Sequence, residues 1–142
     1  MSIYELYNHK LLDFITYNRC NLSNSNLQSL DENIFSFVNI EELDLSENKL
    51  YELPESITKL YNLKTIILSD NQLHYLPQNI GELQMLENLY LSANKLYELP
   101  QNIIELKNLR WLSICENPNL QLNELQQKWL QELIKNGCKV LL

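Results

Sequence analysis

Cysteine, histidine and glycine build many catalytic, metal and phosphate sites, and this chain of 142 residues contains few of each. The three cysteines lie far apart and form no C-x-x-C pair, which argues against a zinc site or a redox pair. His9 and His74 lack the H-E-x-x-H spacing, and Gly81 and Gly137 are isolated, so a glycine-rich phosphate loop is excluded. The sequence therefore predicts no catalytic residues, no metal and no cofactor.

The cysteine count and the charge also bear on location and partners. Cys20, Cys115 and Cys138 are an odd, widely spaced set, so we expect three reduced thiols and an intracellular, cytoplasmic protein. The net charge is −7, with an isoelectric point near 4.8, which disfavours nucleic acid and anionic membranes as partners. No apolar run reaches the roughly 18 residues of a membrane span, and no signal peptide is expected.

The strongest pattern is a tandem repeat of 23 residues. Three copies, at 40–62, 63–85 and 86–108, follow one another without an insertion. Leucine or isoleucine recurs at repeat positions 1, 4, 6, 11, 14, 18 and 21, asparagine at position 9 and proline at position 15. The register extends backwards to a degenerate copy at 17–39 and forwards to a partial copy at 109–120, which predicts one repeat domain over 1–142.

The spacing L-x-x-L-x-L-x-x-N-x-L resembles that of the leucine-rich repeat family, and the tail L-P-x-x-I-x-x-L resembles its 23-residue intracellular class. The resemblance covers about residues 17–120. It implies an α/β solenoid, a fragment of a right-handed horseshoe with short parallel strands on the concave face. The convex side would be irregular or 3₁₀, and the implied role is that of a protein-binding platform.

The residues support this architecture without the family name. In each L-x-L segment, the period of two places both leucines on one face of a short strand. One repeat cannot bury its own leucines, so neighbouring repeats must stack. The predicted strands are 20–22, 43–45, 66–68, 89–91 and 112–114.

The asparagine at position 9 is expected to be structural. Its amide both donates and accepts hydrogen bonds, so it can satisfy backbone groups in the turn that leaves each strand. A polar ligand site is the less favoured interpretation, because buried amides usually serve the fold. The predicted buried ladder consists of Asn48, Asn71, Asn94 and Asn117.

The two ends are expected to be caps that cover the open stack. Residues 1–16 form the predicted N-terminal cap, and residues 121–142 form a helical C-terminal cap. Asn123 and Gln126 have the spacing of a capping box, and an apolar strand is expected from residue 138 onwards. The predicted buried stripe of the helix is Leu125, Trp129, Leu130, Leu133 and Ile134.

The concave face is the candidate binding surface. Ile67, Tyr90 and Trp111 lie on successive strands at positions that the repeat leaves free to point outward, and exposed aromatic residues are typical of interfaces. The candidate partner-binding residues on this face are Glu42, Asp44, Ile67, Asn88, Tyr90, Trp111 and Ser113.

A group of carboxylates suggests the chemistry of the partner. Glu41, Glu42, Asp44 and Glu47 crowd one repeat. Taken alone, such a group is more often a solvated surface than a site. Together with the aromatic residues, it predicts a protein partner that has an apolar anchor flanked by basic residues.

The leading hypothesis is therefore a non-enzymatic protein–protein interaction module, and a monomer is favoured. In an alternative, the domain is an adaptor or regulatory subunit that presents a client to an enzyme. Its second surface would then be a lateral ladder of Tyr51, His74 and Tyr97 at position 12. In a further alternative, the chain is a self-assembling structural protein that associates through the concave patch or the caps.

Overall fold

A computed structural model describes residues 18–142, and the predicted N-terminal cap at 1–16 lies outside the described residues. The described residues form a solenoid with six short parallel strands, arranged in one sheet in the order of the sequence. This agrees with the predicted fold class. The strands are β1 (Arg19–Asn21), β2 (Glu42–Asp44), β3 (Thr65–Ile67), β4 (Asn88–Tyr90), β5 (Trp111–Ser113) and β6 (Lys139–Leu141).

Each of the first five strands begins one residue earlier than predicted. The sequence pattern starts a strand at its first buried leucine, but the hydrogen-bonded ladder already includes the residue before it. In β3, for example, the N–H of Thr65 donates to the carbonyl oxygen of Glu41 at 3.0 Å. The register links residues 23 positions apart, such as Leu43 with Ile66. Equivalent side chains therefore form rows along the solenoid.

The leucines of the repeat form a single core. The inward residues of the central strands, such as Leu43, Ile66 and Leu89, are fully buried. On the convex side, Pro54 and Pro100 directly precede 3₁₀ helices, as expected where proline removes a backbone donor. Residues 18–142 contain the 3₁₀ helices Glu32–Ser36, Glu55–Lys59, Ile80–Glu82 and Gln101–Glu105.

The C-terminal cap contains helix α1 (Glu124–Lys135), followed by β6, which pairs with β5. The predicted capping box is present. The side chain of Asn123 accepts from the N–H of Gln126 at 2.9 Å, and the side chain of Gln126 accepts from the N–H of Asn123 at 3.2 Å. In the part of the chain that the structure describes, no helix is long and apolar enough to cross a membrane.

The predicted buried stripe of this helix is wrong at its two ends. Trp129, Leu130 and Leu133 are buried, but Leu125 is 62% exposed and Ile134 is 52% exposed. Gln126 takes the inner position instead of Leu125, because its side-chain Nε2 donates to the carbonyl oxygen of Leu99 at 2.8 Å. A carbonyl on the preceding repeat therefore selects an amide over a leucine at the helix start.

Candidate functional site

The asparagines at position 9 fix the turns that leave the strands. The amide nitrogen of Asn71 donates to the carbonyl oxygens of Leu45 and Leu68 at 2.9 and 3.1 Å, and its side-chain oxygen accepts from the N–H of Leu50 at 3.0 Å. Each amide thus joins its own repeat to the preceding one. The same pattern of contacts recurs at Asn48, Asn94 and Asn117.

The structure brings Ile67, Tyr90 and Trp111 together on the concave face, and we call these three residues the aromatic patch. Ile67 and Tyr90 are register partners in β3 and β4. The rings of Tyr90 and Trp111 stack with centroids 6.0 Å apart and an angle of 28° between their planes. All three side chains are half-buried. A preformed, partly exposed aromatic surface therefore occupies the C-terminal half of the sheet.

Trp111 is held by its ring rather than by its nitrogen. Lys139 of β6 places its Nζ 5.9 Å from the centroid of the indole, so the ring has contacts with both Tyr90 and Lys139. The indole Nε1 is buried and has no hydrogen-bond partner among residues 18–142. A buried donor without a partner lowers the stability of the fold. The presence of tryptophan at this position is therefore not explained by a hydrogen bond within the fold.

The polar candidates of the concave face are linked to one another in rows. Asn88 donates from its Nδ2 to Thr65 Oγ1 at 2.9 Å. Arg19 pairs with Glu42 at 3.0 Å, and both side chains remain substantially exposed. The carboxylate of Asp44 accepts from the N–H and the hydroxyl of the serine two residues later, at 3.0 and 2.6 Å. Glu42, Asp44 and Asn88 are therefore pre-positioned.

The predicted group of carboxylates is less concentrated than the sequence indicates. Glu41 forms a 2.7 Å ion pair with Lys64 on the next repeat, as Glu87 does at 3.5 Å with Arg110. Hydrogen bonding and charge from Lys64 lower the pKa of Glu41, and the same pair raises the pKa of Lys64. These pairs form a row of alternating charge at position 2. Asp44 and Glu47 are left as the members of the group without a cationic partner among the described residues.

Ser113 does not fit the predicted surface. Its exposure is 3%, and its hydroxyl oxygen accepts from the hydroxyl of Ser92 at 2.8 Å. Strand β6 lies beside it, with Leu141 as the register partner. The sequence places Ser113 at an outward position, but the neighbouring strand and the serine pair remove it from contact with solvent.

One regular feature of the loops is missing from the sequence interpretation. The residue at position 8 adopts the left-handed backbone conformation in five successive copies, with φ between 48° and 58°. Asparagine and aspartate tolerate this conformation best, so their presence at two of the five positions was the available signal. The five residues are Asn24, Glu47, Asp70, Ala93 and Glu116.

The lateral surface carries a second group of aromatic residues. The rings of His74 and Tyr97 stack at 5.6 Å, and Tyr75 lies 5.9 Å from Tyr97. We call these three residues the lateral cluster. The predicted ladder is present between His74 and Tyr97, but no ring contact among the described residues extends it to Tyr51, which meets His74 only through a backbone hydrogen bond of 3.3 Å. Tyr97 and Gln101 are among the residues that line a cleft of about 430 Å³.

The cysteines of the described chain lie in different surroundings. The Sγ of Cys115 lies 3.0 Å from Ser92 Oγ and is half-exposed, whereas burial raises the pKa of the Cys138 thiol. Across residues 18–142, no group of three or more histidine, cysteine, aspartate or glutamate side chains could hold a metal ion.

Comparison with solved structures places this geometry among known repeat proteins. A leucine-rich repeat protein of Leptospira interrogans is 33% identical over 80% of this chain and 28% of its own, with a TM-score of 0.67. The plant peptide hormone receptor RGFR1, solved in complex with RGF2, is 34% identical over 73% of this chain and 20% of its own, with a TM-score of 0.58. This chain therefore spans roughly a quarter of these relatives.

The ectodomain of the receptor kinase SOBIR1 from Arabidopsis thaliana shares the fold, with a TM-score of 0.68 and 24% identity over 85% of this chain and 66% of its own. Among curated proteins, no relative matches the chain. Two family descriptions match: "Leucine-rich repeat region" over residues 55–138 and "Leucine rich repeat" over residues 19–73. The chain belongs to the leucine-rich repeat family.

Proposed function

We propose that this domain is a non-enzymatic module that binds a protein partner on its concave face. The observation that carries the proposal is the aromatic patch. Tyr90 and Trp111 form a stacked pair on the open face of a sheet, and Ile67 extends the apolar surface by one strand. Tryptophan and tyrosine are the residues on which binding energy most often concentrates. Because the pair is already ordered by stacking, little conformational entropy is lost when a partner binds.

The charges beside the patch suggest the chemistry of the partner. Asp44 lies on β2, two strands from Tyr90, which corresponds to about 10 Å across the sheet. The exposed carboxylates of Glu47 and Asp70 lie at the loop edge of the same face. A partner segment with an apolar side chain on the patch and a basic side chain over β2 would satisfy both regions. In an extended peptide, about three residues span that distance.

The proposal is tested by a pull-down that compares wild-type bait with Trp111→Ala. We expect the substitution to weaken binding by about 2 kcal/mol, or roughly thirtyfold, if the residue is a hot spot. The melting temperature should change little, because the ring lies on the surface of the sheet. Tyr51→Ala is the matched control, since Tyr51 is 50% exposed on the lateral surface and should leave binding intact.

Two outcomes would contradict this placement. If Trp111→Ala unfolds the protein, the ring serves the C-terminal cap and the patch is not a site. If Trp111→Ala binds normally and Tyr51→Ala does not, the working surface is the lateral one.

The lateral cluster favours an adaptor as the second candidate function. His74, Tyr75 and Tyr97 form a continuous exposed aromatic surface away from the concave strands. A domain with two such surfaces could hold a client and an enzyme at the same time. Competition binding separates the two functions, because an adaptor binds two partners simultaneously whereas a single-site module binds one.

We also propose an intracellular location, in which all three cysteines stay reduced. Cys20 lies on β1 and Cys115 lies two residues after the end of β5, so at least four strand spacings, or about 19 Å, separate them. This exceeds the distance of about 7 Å that a disulfide can bridge between Cα atoms. Protein purified without reductant and then denatured should react at all three thiols. Recovery of a single reactive thiol would overturn the proposal.

A further inference from the structure

We propose that the open edge of β6 pairs with the same edge of a second copy of this chain. The two strands would run antiparallel across a two-fold axis at Val140. This surface is distinct from the aromatic patch, and the inference does not depend on the proposed partner.

The backbone of β6 has unused hydrogen-bonding capacity. Strand β6 is the last strand of the sheet, and among residues 18–142 it pairs only with β5. The N–H of Lys139 donates to Arg110, and the carbonyl oxygen of Leu141 accepts from the N–H of Ile114, both at 2.9 Å. Alternate residues of a strand direct their backbone groups to opposite edges. The N–H and C=O of Val140 therefore point to the open edge.

A two-fold axis at Val140 gives a favourable register. The two copies of Val140 would exchange both of their hydrogen bonds, as a hydrogen-bonded pair of an antiparallel ladder does, with Cα atoms about 5.5 Å apart. Lys139 would then lie opposite Leu141 of the second copy rather than opposite the other lysine. Leu141 is 47% exposed, so the pairing would cover apolar surface.

A lysine on an edge strand usually prevents such pairing, because its charge resists burial. Here Lys139 directs its ammonium back towards β5, where Nζ lies 5.9 Å from the centroid of the Trp111 ring. The charge is thereby carried away from the open edge, and the aliphatic part of the side chain remains beside it.

The charge balance also favours this end of the molecule over others. Residues 121–142 contain three lysines and two glutamates, a formal charge of +1, whereas the whole chain carries −7. Two copies that meet through their C-terminal ends therefore experience the least repulsion. The paired sheets would form twelve strands, with one aromatic patch on each side of the axis. A three-residue strand provides few hydrogen bonds, so we expect a dimer that dissociates in the micromolar range.

Sedimentation equilibrium on the 142-residue chain tests the proposal. The average mass of the wild type should rise from 16.9 kDa towards twice that value between about 1 and about 300 μM. Leu141→Lys should weaken association about tenfold or more, because the new charge faces Lys139 of the second copy and the symmetry repeats the contact. Leu141→Glu should associate as tightly as the wild type or more tightly, because a carboxylate would face that lysine.

The two substitutions form a matched pair at an exposed position, so both proteins should fold, and circular dichroism checks this. A wild type that remains at 16.9 kDa at the highest concentration overturns the proposal. Equal weakening by Leu141→Lys and Leu141→Glu also overturns it, because that result indicates apolar association without this register. The same holds if Trp111→Ala abolishes association while Leu141→Lys does not, since the aromatic patch would then be the contact.

Discussion

At the scale of single residues, the asparagine at position 9 stabilises the fold through hydrogen bonds to the backbone of two repeats. Among the described residues, the buried N–H of Leu50 has the side-chain oxygen of Asn71 as its one acceptor. The carbonyl oxygens of Leu45 and Leu68, to which Asn71 also donates, each accept a second bond from the asparagine of a neighbouring copy. Asn71→Ala should therefore lower the free energy of unfolding by about 1–3 kcal/mol, because it leaves the buried N–H of Leu50 unpaired. Urea denaturation measures the loss.

Ser25 is the control for this prediction, because it occupies the same repeat position in the degenerate copy. Ser25 is half-buried, and within residues 18–142 its hydroxyl makes one hydrogen bond, to the carbonyl oxygen of Ser23 at 3.1 Å. Ser25→Ala should therefore cost much less than Asn71→Ala. Equal losses at the two positions would show that the ladder is not what holds the turns.

The neighbouring position 8 shows what a side-chain pattern cannot reveal. Ala93 and Glu116 adopt the left-handed conformation although neither residue favours it, so the surrounding turn imposes their backbone angles. Asn24 and Asp70 belong to the residue types that tolerate this conformation, but two such residues among five positions are a weak signal. Position 9 was predictable because four of its five copies carry asparagine, and position 8 was not because its residue varies.

At the scale of elements, the start of helix α1 depends on an amide. Gln126 is 2% exposed and donates to Leu99, whereas Leu125 is 62% exposed. Gln126→Leu should cost about 1–3 kcal/mol, because it breaks the capping box and leaves a buried carbonyl unpaired. Leu125→Gln should change the free energy of unfolding by less than about 0.5 kcal/mol. Thermal or urea denaturation of the two variants measures both effects.

If Leu125→Gln lowered the free energy of unfolding more than Gln126→Leu does, Leu125 would be the buried residue, as the sequence predicts. Hydrophobicity alone leads to this opposite ranking, because Gln126→Leu adds an apolar side chain and Leu125→Gln removes one. The helix itself, its capping residues and the following strand were predictable from local spacing. The identity of its buried face was not, because the face depends on the carbonyl of Leu99, which lies 27 residues earlier.

The same limit applies to the candidate binding face. The alternation of the strands placed Ile67, Tyr90 and Trp111 on one surface, and their contact follows from the 23-residue register. Contacts between repeats determine which of the other candidate residues are exposed and which are paired. Ser113 is buried because β6 pairs beside it, and Glu41 is paired because Lys64 occupies the same position one repeat later. A sequence read one repeat at a time does not supply these neighbours.

At the scale of the whole molecule, a solenoid is held together by contacts between adjacent units, so damage should remain local. In the described chain, the C-terminal cap contacts β5 and the 3₁₀ helix Gln101–Glu105 but not the earlier repeats. Trp129 is 4% exposed, and its Nε1 donates to the carbonyl oxygen of Leu106 at 3.3 Å. Trp129→Ala should remove about 3–5 kcal/mol from the cap.

Amide hydrogen exchange measures which elements lose stability in Trp129→Ala. Amides of helix α1 and β6 should exchange much faster in Trp129→Ala, while those of β2 and β3 should keep their protection, because no direct contact connects them to the cap. Ile66→Ala is the control, since this fully buried residue lies between two neighbouring repeats and should loosen the strands on both sides. A uniform rise in exchange along the chain of Trp129→Ala would instead mean that the repeats unfold as one cooperative unit. The cap would then stabilise the concave face as strongly as the repeats that form it.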